Sequence, residues 1–214
     1  MILSGKSVED IYNEISSVIC SKKISEICTD NFEKYLDFKT KEIQRNYSGN
    51  RTIEEIKNCV RSGYINEFVF SELCNLKRNM LDFNCKIPET FYYDLSDDVG
   101  TKIEVKSWNP KKSKWINFNI DSMKTEQFVT YISGSGHFDT LIKYNKNIDY
   151  VCTFYKEQDS LLLSGVFYAD VFHLYDGKNY GKYVKMSNTG YGNAKTTHYL
   201  NIHAVKMDKK GFFL

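Results

Sequence analysis

Residues 91–108 read Phe-Tyr-Tyr-Asp-Leu-Ser-Asp-Asp-Val-Gly-Thr-Lys-Ile-Glu-Val-Lys-Ser-Trp. Acids and lysines alternate there with apolar residues, the pattern of a half-buried strand pair. Asp98-Val99-Gly100 suits a three-residue hairpin loop, because Gly100 can take the left-handed conformation. With Val99 at the loop centre, Asp94 lies opposite Glu104, Tyr92 opposite Lys106 and Ser96 opposite Lys102. Tyr93 meets Val105 and Leu95 meets Ile103 on the other, core-facing side.

Two carboxylates directly opposite on a sheet repel each other. A divalent cation between Asp94 and Glu104 removes that repulsion. Mg²⁺ favours few carboxylates with several waters and phosphate oxygens, and Mn²⁺ is able to substitute. Lys106 follows Glu104 by two residues and shares its face. Its ammonium suits orienting an attacking water or stabilising charge on a phosphate. The same residues also fit a plain charged hairpin face, with Lys102 and Lys106 pairing to the acids and no metal. An acid-x-lysine string recurs at Asp37-Phe-Lys39, Glu55-Ile-Lys57, Asp176-Gly-Lys178 and Asp208-Lys-Lys210. Only Glu104–Lys106 sits on a β-type run after a hairpin turn, with an acid on the facing strand.

The elements around the hairpin divide near Pro88. Before it, periodicity predicts helices over Val8–Cys20, Ile24–Arg45, Thr52–Arg61 and about Tyr64–Met80. Thr52 with Glu55 forms a capping box. After it, strands are expected at Phe91–Ser96, Thr101–Ser107 and Trp115–Ile120. A helix is expected over about 122–132 and a weaker one over 138–146. Strands then follow at Asp149–Lys156, Leu161–Tyr168, Tyr183–Met186 and His198–Lys206. The order reads as α/β or α+β, a helical N-terminal extension (1–62) packed on a core (63–214), together one compact domain.

Asp94, a ten-residue gap and Glu104-Val-Lys106 resemble the signature of the PD-(D/E)XK nuclease superfamily, which includes many restriction endonucleases. Tyr93 stands where the family usually has proline. The resemblance covers residues 63 to about 156, under half the chain. It implies a restriction-endonuclease-like core, a central mixed sheet flanked by helices, built as helix, three-strand meander, helix, strand. It implies Mg²⁺-dependent hydrolysis of phosphodiester bonds, with Asp94 and Glu104 holding metal and Lys106 assisting the water. The family often adds a carboxylate from the preceding helix; Glu67 is the better candidate and Glu72 the alternative. Gln127-Phe-Val-Thr-Tyr131 is similar to the QxxxY motif of RecB-like and Cas4-like nucleases, although the cysteine cluster of their iron–sulfur members is missing.

Net charge is +2 over 214 residues. Residues 1–100 carry 13 Lys+Arg against 17 Asp+Glu, a net of −4, and residues 101–214 carry 16 against 10, a net of +6. A polyanion is met mainly by the second half. Lys111, Lys112 and Lys114, beside Trp108 and Trp115, suit phosphates and a stacked base. Gln127 and the polar loop 187–197, with Asn188, Asn193 and Lys195, are further candidates for nucleic-acid contact. All four arginines (45, 51, 61, 78) precede the hairpin. Base reading from the second half would therefore use Asn or Gln to adenine rather than Arg to guanine. A lysine-rich solvated surface is the bland reading of the same residues.

The six cysteines form no CxxC pair and read as free thiols rather than a zinc or iron–sulfur site. The four histidines have no metal spacing. No run is long enough to span a bilayer, and Met1-Ile-Leu-Ser-Gly-Lys lacks a signal peptide's apolar stretch, so a cytoplasmic location is expected. The leading expectation is a restriction-like DNA endonuclease, with a homodimer as the expected assembly. A RecB-like exonuclease or repair nuclease, an RNA endonuclease and a non-catalytic nucleic-acid-binding protein are the alternatives.

Overall fold

A computed structural model describes residues 1–46, 52–79, 93–111, 117–122, 128–132, 148–172, 182–187 and 196–213. The chain opens with α1 (Val8–Ile19), α2 (Ile24–Ile27), α3 (Asp30–Asn46) and α4 (Ile53–Cys74). The Ser7 hydroxyl caps α1 by accepting from the Asp10 N–H at 3.1 Å. Val8, Ile11, Tyr12, Ile15 and Ile19 form its buried stripe. The single helix expected over 24–45 breaks at Cys28, whose ψ of 73° leaves the helical region. The Thr52–Glu55 capping box starts α4. That helix runs straight through Gly63, so the boundary drawn at 62/63 falls inside it. It stops at Cys74, short of Met80, because Asn75 turns left-handed with φ 50°.

The strands then build a six-stranded mixed sheet. Its members are β1 (Lys77–Arg78), β2 (Leu95–Ser96), β3 (Lys102–Ser107), β6 (Tyr150–Glu157), β7 (Ser160–Tyr168) and β10 (Gly211–Phe213), in the order β1-β2-β3-β6-β7-β10. All neighbours are antiparallel except β3 and β6, which are parallel. Parallel pairing needs a crossover, and residues 108–149 make it. A second sheet, order β5-β4-β9-β8, contains β4 (Asn117–Ser122), β5 (Phe128–Ile132), β8 (Val184–Ser187) and β9 (Thr196–Leu200).

Three expectations are corrected here. Residues 128–132 are strand, not helix: Phe-Val-Thr-Tyr-Ile is β-branched and aromatic, and it pairs with β4 from Phe118↔Ile132 to Ser122↔Phe128. The third strand of the meander is β1, before the hairpin, whereas β4 belongs to the second sheet. The strand expected over 198–206 ends at Leu200, where Asn201 caps α5 (Ile202–Met207) by accepting from the Ala204 N–H at 3.3 Å. The weaker helix expected over 138–146 lies outside the described residues.

Helices cover both faces of the larger sheet. On one face α1 and α4 pack against Ile103, Val105, Cys152, Phe154 and Val166. Tyr12 and Phe212 rings stand 4.9 Å apart there, as do Phe70 and Phe154. On the other face Trp108, Val151, Phe167, Leu200 and Val205 form a second cluster. A third cluster, with Phe32, Tyr35, Leu36, Ile56, Val60 and Phe68, joins α3 to α4. The cysteines at 20, 28, 59, 74 and 152 are free. No described helix is long and apolar enough to cross a membrane.

Candidate active site

The hairpin adopts the register the alternation predicts, with Leu95↔Ile103 and Ser96↔Lys102. Gly100 takes φ 89°, which a side chain would resist. Asp97 pins the loop. Its carboxylate accepts from the N–H groups of Val99 (3.1 Å), Thr101 (2.8 Å) and Leu3 (2.9 Å). Burial would raise that carboxyl, but the backbone donors bring it below the ordinary range. The loop and the N-terminus are thereby tied together, which steadies the strand that follows.

Asp94 sits at the bend entering β2. Its N–H donates to the Ile103 carbonyl at 3.0 Å and its Oδ2 accepts from the Val105 N–H at 2.7 Å. Glu104 and Lys106 alternate with core-facing Ile103 and Val105, so they share the opposite face. The Lys106 ammonium donates to Glu104 Oε1 and lies 3.8 Å from Asp94 Oδ2. One ammonium reaching both carboxylates places them on the same side of the hairpin. The expected Tyr92–Lys106 pair lies outside the described residues. Beside Lys106 in the parallel register stands Thr153, which accepts from the Ser164 hydroxyl at 2.9 Å. Ser164 is the extra residue of a bulge in β7, so the neighbouring strand is bent where it flanks the trio.

Glu67 reaches this corner from α4. It is 3% exposed. Glu72, the alternative, is exposed and paired with Arg78 at 2.6 Å. Asn66 ties α4 to the end of β3 by donating to the Ser107 hydroxyl at 2.9 Å. Burial pushes the Glu67 carboxyl up to about 7; Lys39 pulls it down and Asp94 pushes it further up. Burial, then Asp94, push Glu104 up to about 8 against the pull of Lys106. Burial alone would lower Lys106, but Glu104 and Asp94 hold its ammonium above the usual range. Asp94, Glu104 and Lys106 thus meet at one corner, on which Glu67 and Lys39 act through their charge, and the acids outnumber the ammonium groups.

Protons on the raised carboxyls of Glu67 and Glu104 can relieve that excess, and so can a divalent cation held by Asp94 and Glu104. The Lys106 ammonium already occupies a cation's place between Asp94 and Glu104, and two carboxylates are a donor set that Mg²⁺ accepts. Among the described residues no three His, Cys, Asp or Glu side chains form a ready-made metal cage. Water and phosphate oxygens would have to complete the shell.

Of the polymer-binding candidates only Lys111 is among the described residues. Lys111 is exposed and pairs with Glu157 at 2.8 Å. Lys112, Lys114, Gln127, Asn188, Asn193 and Lys195 lie outside the described residues. Trp108 is no stacking platform, being 5% exposed and packed on Phe167 and Phe213. Tyr131 lies on a strand, so the QxxxY spacing does not have the helical setting expected for it.

Two residues of α3 were missed by the sequence reading. The Tyr35 hydroxyl donates to Glu67 Oε1, and Lys39, 4% exposed, is the strongest charge pulling Glu67 down. The available signal was position: Lys39 falls on the buried stripe Phe32, Tyr35, Leu36, Lys39, Thr40, where a lysine costs stability unless paired. The chain matches no family model, no curated protein and no solved structure.

Proposed function

We propose that this chain is a metal-dependent nuclease of the restriction-endonuclease-like kind, cutting phosphodiester bonds in DNA. The observation that carries the reading is the Asp94–Glu104–Lys106 trio, with Glu104 and Lys106 buried and Asp94 half-buried, together with the buried Glu67. Replacing buried ion pairs by apolar groups is often neutral or stabilising, so a merely structural role gives little reason to keep five charges here. The element order supports the same reading. A helix, three antiparallel strands and a later strand parallel to β3 follow that family order, although residues 128–132, expected within its second helix, are a strand.

Asp94 and Glu104 would hold Mg²⁺ or Mn²⁺, whose chemistry when bound is to lower the pKa of a water and to offset charge on the phosphate. The Asp94 carboxylate is oriented for this by the Val105 N–H. Lys106 places a positive charge where the pentavalent phosphate gains negative charge, and it also orients the attacking water. Glu67, raised to about 7, is suited to take a proton near neutral pH. The buried setting strengthens each of these interactions by keeping the surrounding dielectric low.

Incubation with supercoiled, linear and single-stranded DNA and with RNA, in Mg²⁺ or EDTA, tests this. Nicked or linear product from closed circles, in Mg²⁺ alone, is the expected result. Nucleic-acid binding without cleavage in any divalent metal would instead favour a non-catalytic binding protein.

A further inference from the structure

We propose that Tyr35 and Lys39, both on α3, are positioning residues of this site that hold the Glu67 carboxylate and balance its charge. The assignment rests on the nuclease reading. It makes the N-terminal helices part of the working machinery rather than a packed extension.

The geometry is direct. The Tyr35 hydroxyl donates to Glu67 Oε1 across 32 positions of sequence, and both residues are buried. The Tyr35 ring cannot drift. Phe68 lies 5.6 Å from it, Tyr64 stands edge-on at 6.1 Å, and the Arg78 guanidinium sits 5.3 Å from its centroid. Lys39 follows one turn later on the same face. Its ammonium lies 4.9 Å from the Tyr64 ring centroid and 5.8 Å from that of Tyr35. Glu67 is thus held by the Tyr35 hydroxyl and feels the charges of Lys39, Asp94 and Lys106.

A buried tyrosine that only packs can give its hydroxyl to a backbone carbonyl. Here it holds one oxygen of a carboxylate that belongs to the catalytic corner, which fixes the direction in which the other oxygen points. The positive charge of Lys39, set over the Tyr35 and Tyr64 rings, acts on Glu67 in the opposite direction to Asp94. Lys106 is then left to Glu104 and Asp94. Neither α3 residue is assigned contact with substrate, so their loss should slow the chemical step and leave polymer binding alone.

The test uses the full chain and the variants Tyr35→Phe, Lys39→Met, Lys39→Arg, Glu67→Gln and Tyr35→Phe/Glu67→Gln, each checked for folding by a circular-dichroism melt. Single-turnover cleavage at saturating Mn²⁺ should fall about tenfold or more in Tyr35→Phe and Lys39→Met, the scale of a displaced catalytic group. Lys39→Arg should restore most of the rate. DNA binding in Ca²⁺ should stay within about twofold of the parent, since no phosphate contact is lost. In the Glu67→Gln background Tyr35→Phe should add nothing, because Tyr35 acts only through Glu67. Mn²⁺ calorimetry on the metal-free protein should give Tyr35→Phe the parent affinity, since Asp94 and Glu104 hold the metal. Folded Tyr35→Phe and Lys39→Met proteins that match the parent rate overturn the assignment and leave the nuclease reading intact. An equal loss from Tyr35→Phe with and without Glu67 also overturns it. A parent chain that neither cleaves nor takes up Mn²⁺ overturns the nuclease reading and this assignment together.

Discussion

Lys106→Met removes an ammonium and keeps an apolar stem of similar length. In the parent that ammonium serves two carboxylates, bonded to Glu104 and 3.8 Å from Asp94. Without it the two acids share a buried corner, and breaking such a pair costs on the order of 3 kcal/mol of fold stability. The cost should shrink at acidic pH, because Glu104, pushed up to about 8, can take a proton instead. Catalysis should suffer separately. Loss of one electrostatic stabiliser costs a factor on the order of 10² or more, equivalent to about 3 kcal/mol on the barrier. Divalent metal should bind no more weakly, since a competing cation has gone. DNA binding in Ca²⁺ should change little, one phosphate contact being a small share of the affinity. The assay is single-turnover cleavage with enzyme in excess, alongside urea denaturation at pH 6 and pH 8. Cleavage at the parental rate would make Lys106 a structural partner of the two acids and refute its catalytic role.

Asp94→Asn and Glu104→Gln should each abolish cleavage in Mg²⁺, and Ca²⁺ should support binding with little cutting; full activity in EDTA would exclude the mechanism. Burial holds protons on Glu67 and Glu104 up to about 7 and about 8, against 4.5 for a free carboxyl. The folded state thus binds more protons than the unfolded chain across that window, so metal-free stability should fall as pH rises from about 4.5 to 8. Mn²⁺ should offset the loss, and a melting temperature that does not respond to pH in EDTA counts against the buried acids. Gly165→Ala should destabilise by about 1–3 kcal/mol, because a Cβ there would stand 2.7 Å from the fully buried Phe167 ring; an unchanged denaturation midpoint would show that the ring can move. Lys112→Ala should lower the slope of binding against salt by about one ion with the chemical step intact, whereas a changed single-turnover rate would place it in the reaction.

The hairpin was legible because everything that specifies it is local. Alternation assigns faces, Gly100 permits the turn, and the loop centre fixes which residues pair, so Asp94, Glu104 and Lys106 could be placed together from spacing alone. Helices α1 and α4 were legible for the same reason, through stripes and caps. What the sequence could not decide was pairing between distant segments. Residues 128–132 became a strand because β4 offered a partner. Lys77–Arg78 became the first strand because β2 folded back beside it, and β6 reached β3 only across residues 108–149. The second row of the site depends on the same kind of information. Tyr35 and Glu67 are 32 residues apart on different helices, and no pattern within either helix says that one will hold the other. Local sequence sets which face each residue occupies; only packing decides which faces meet, because that choice is made by burial of the whole chain at once.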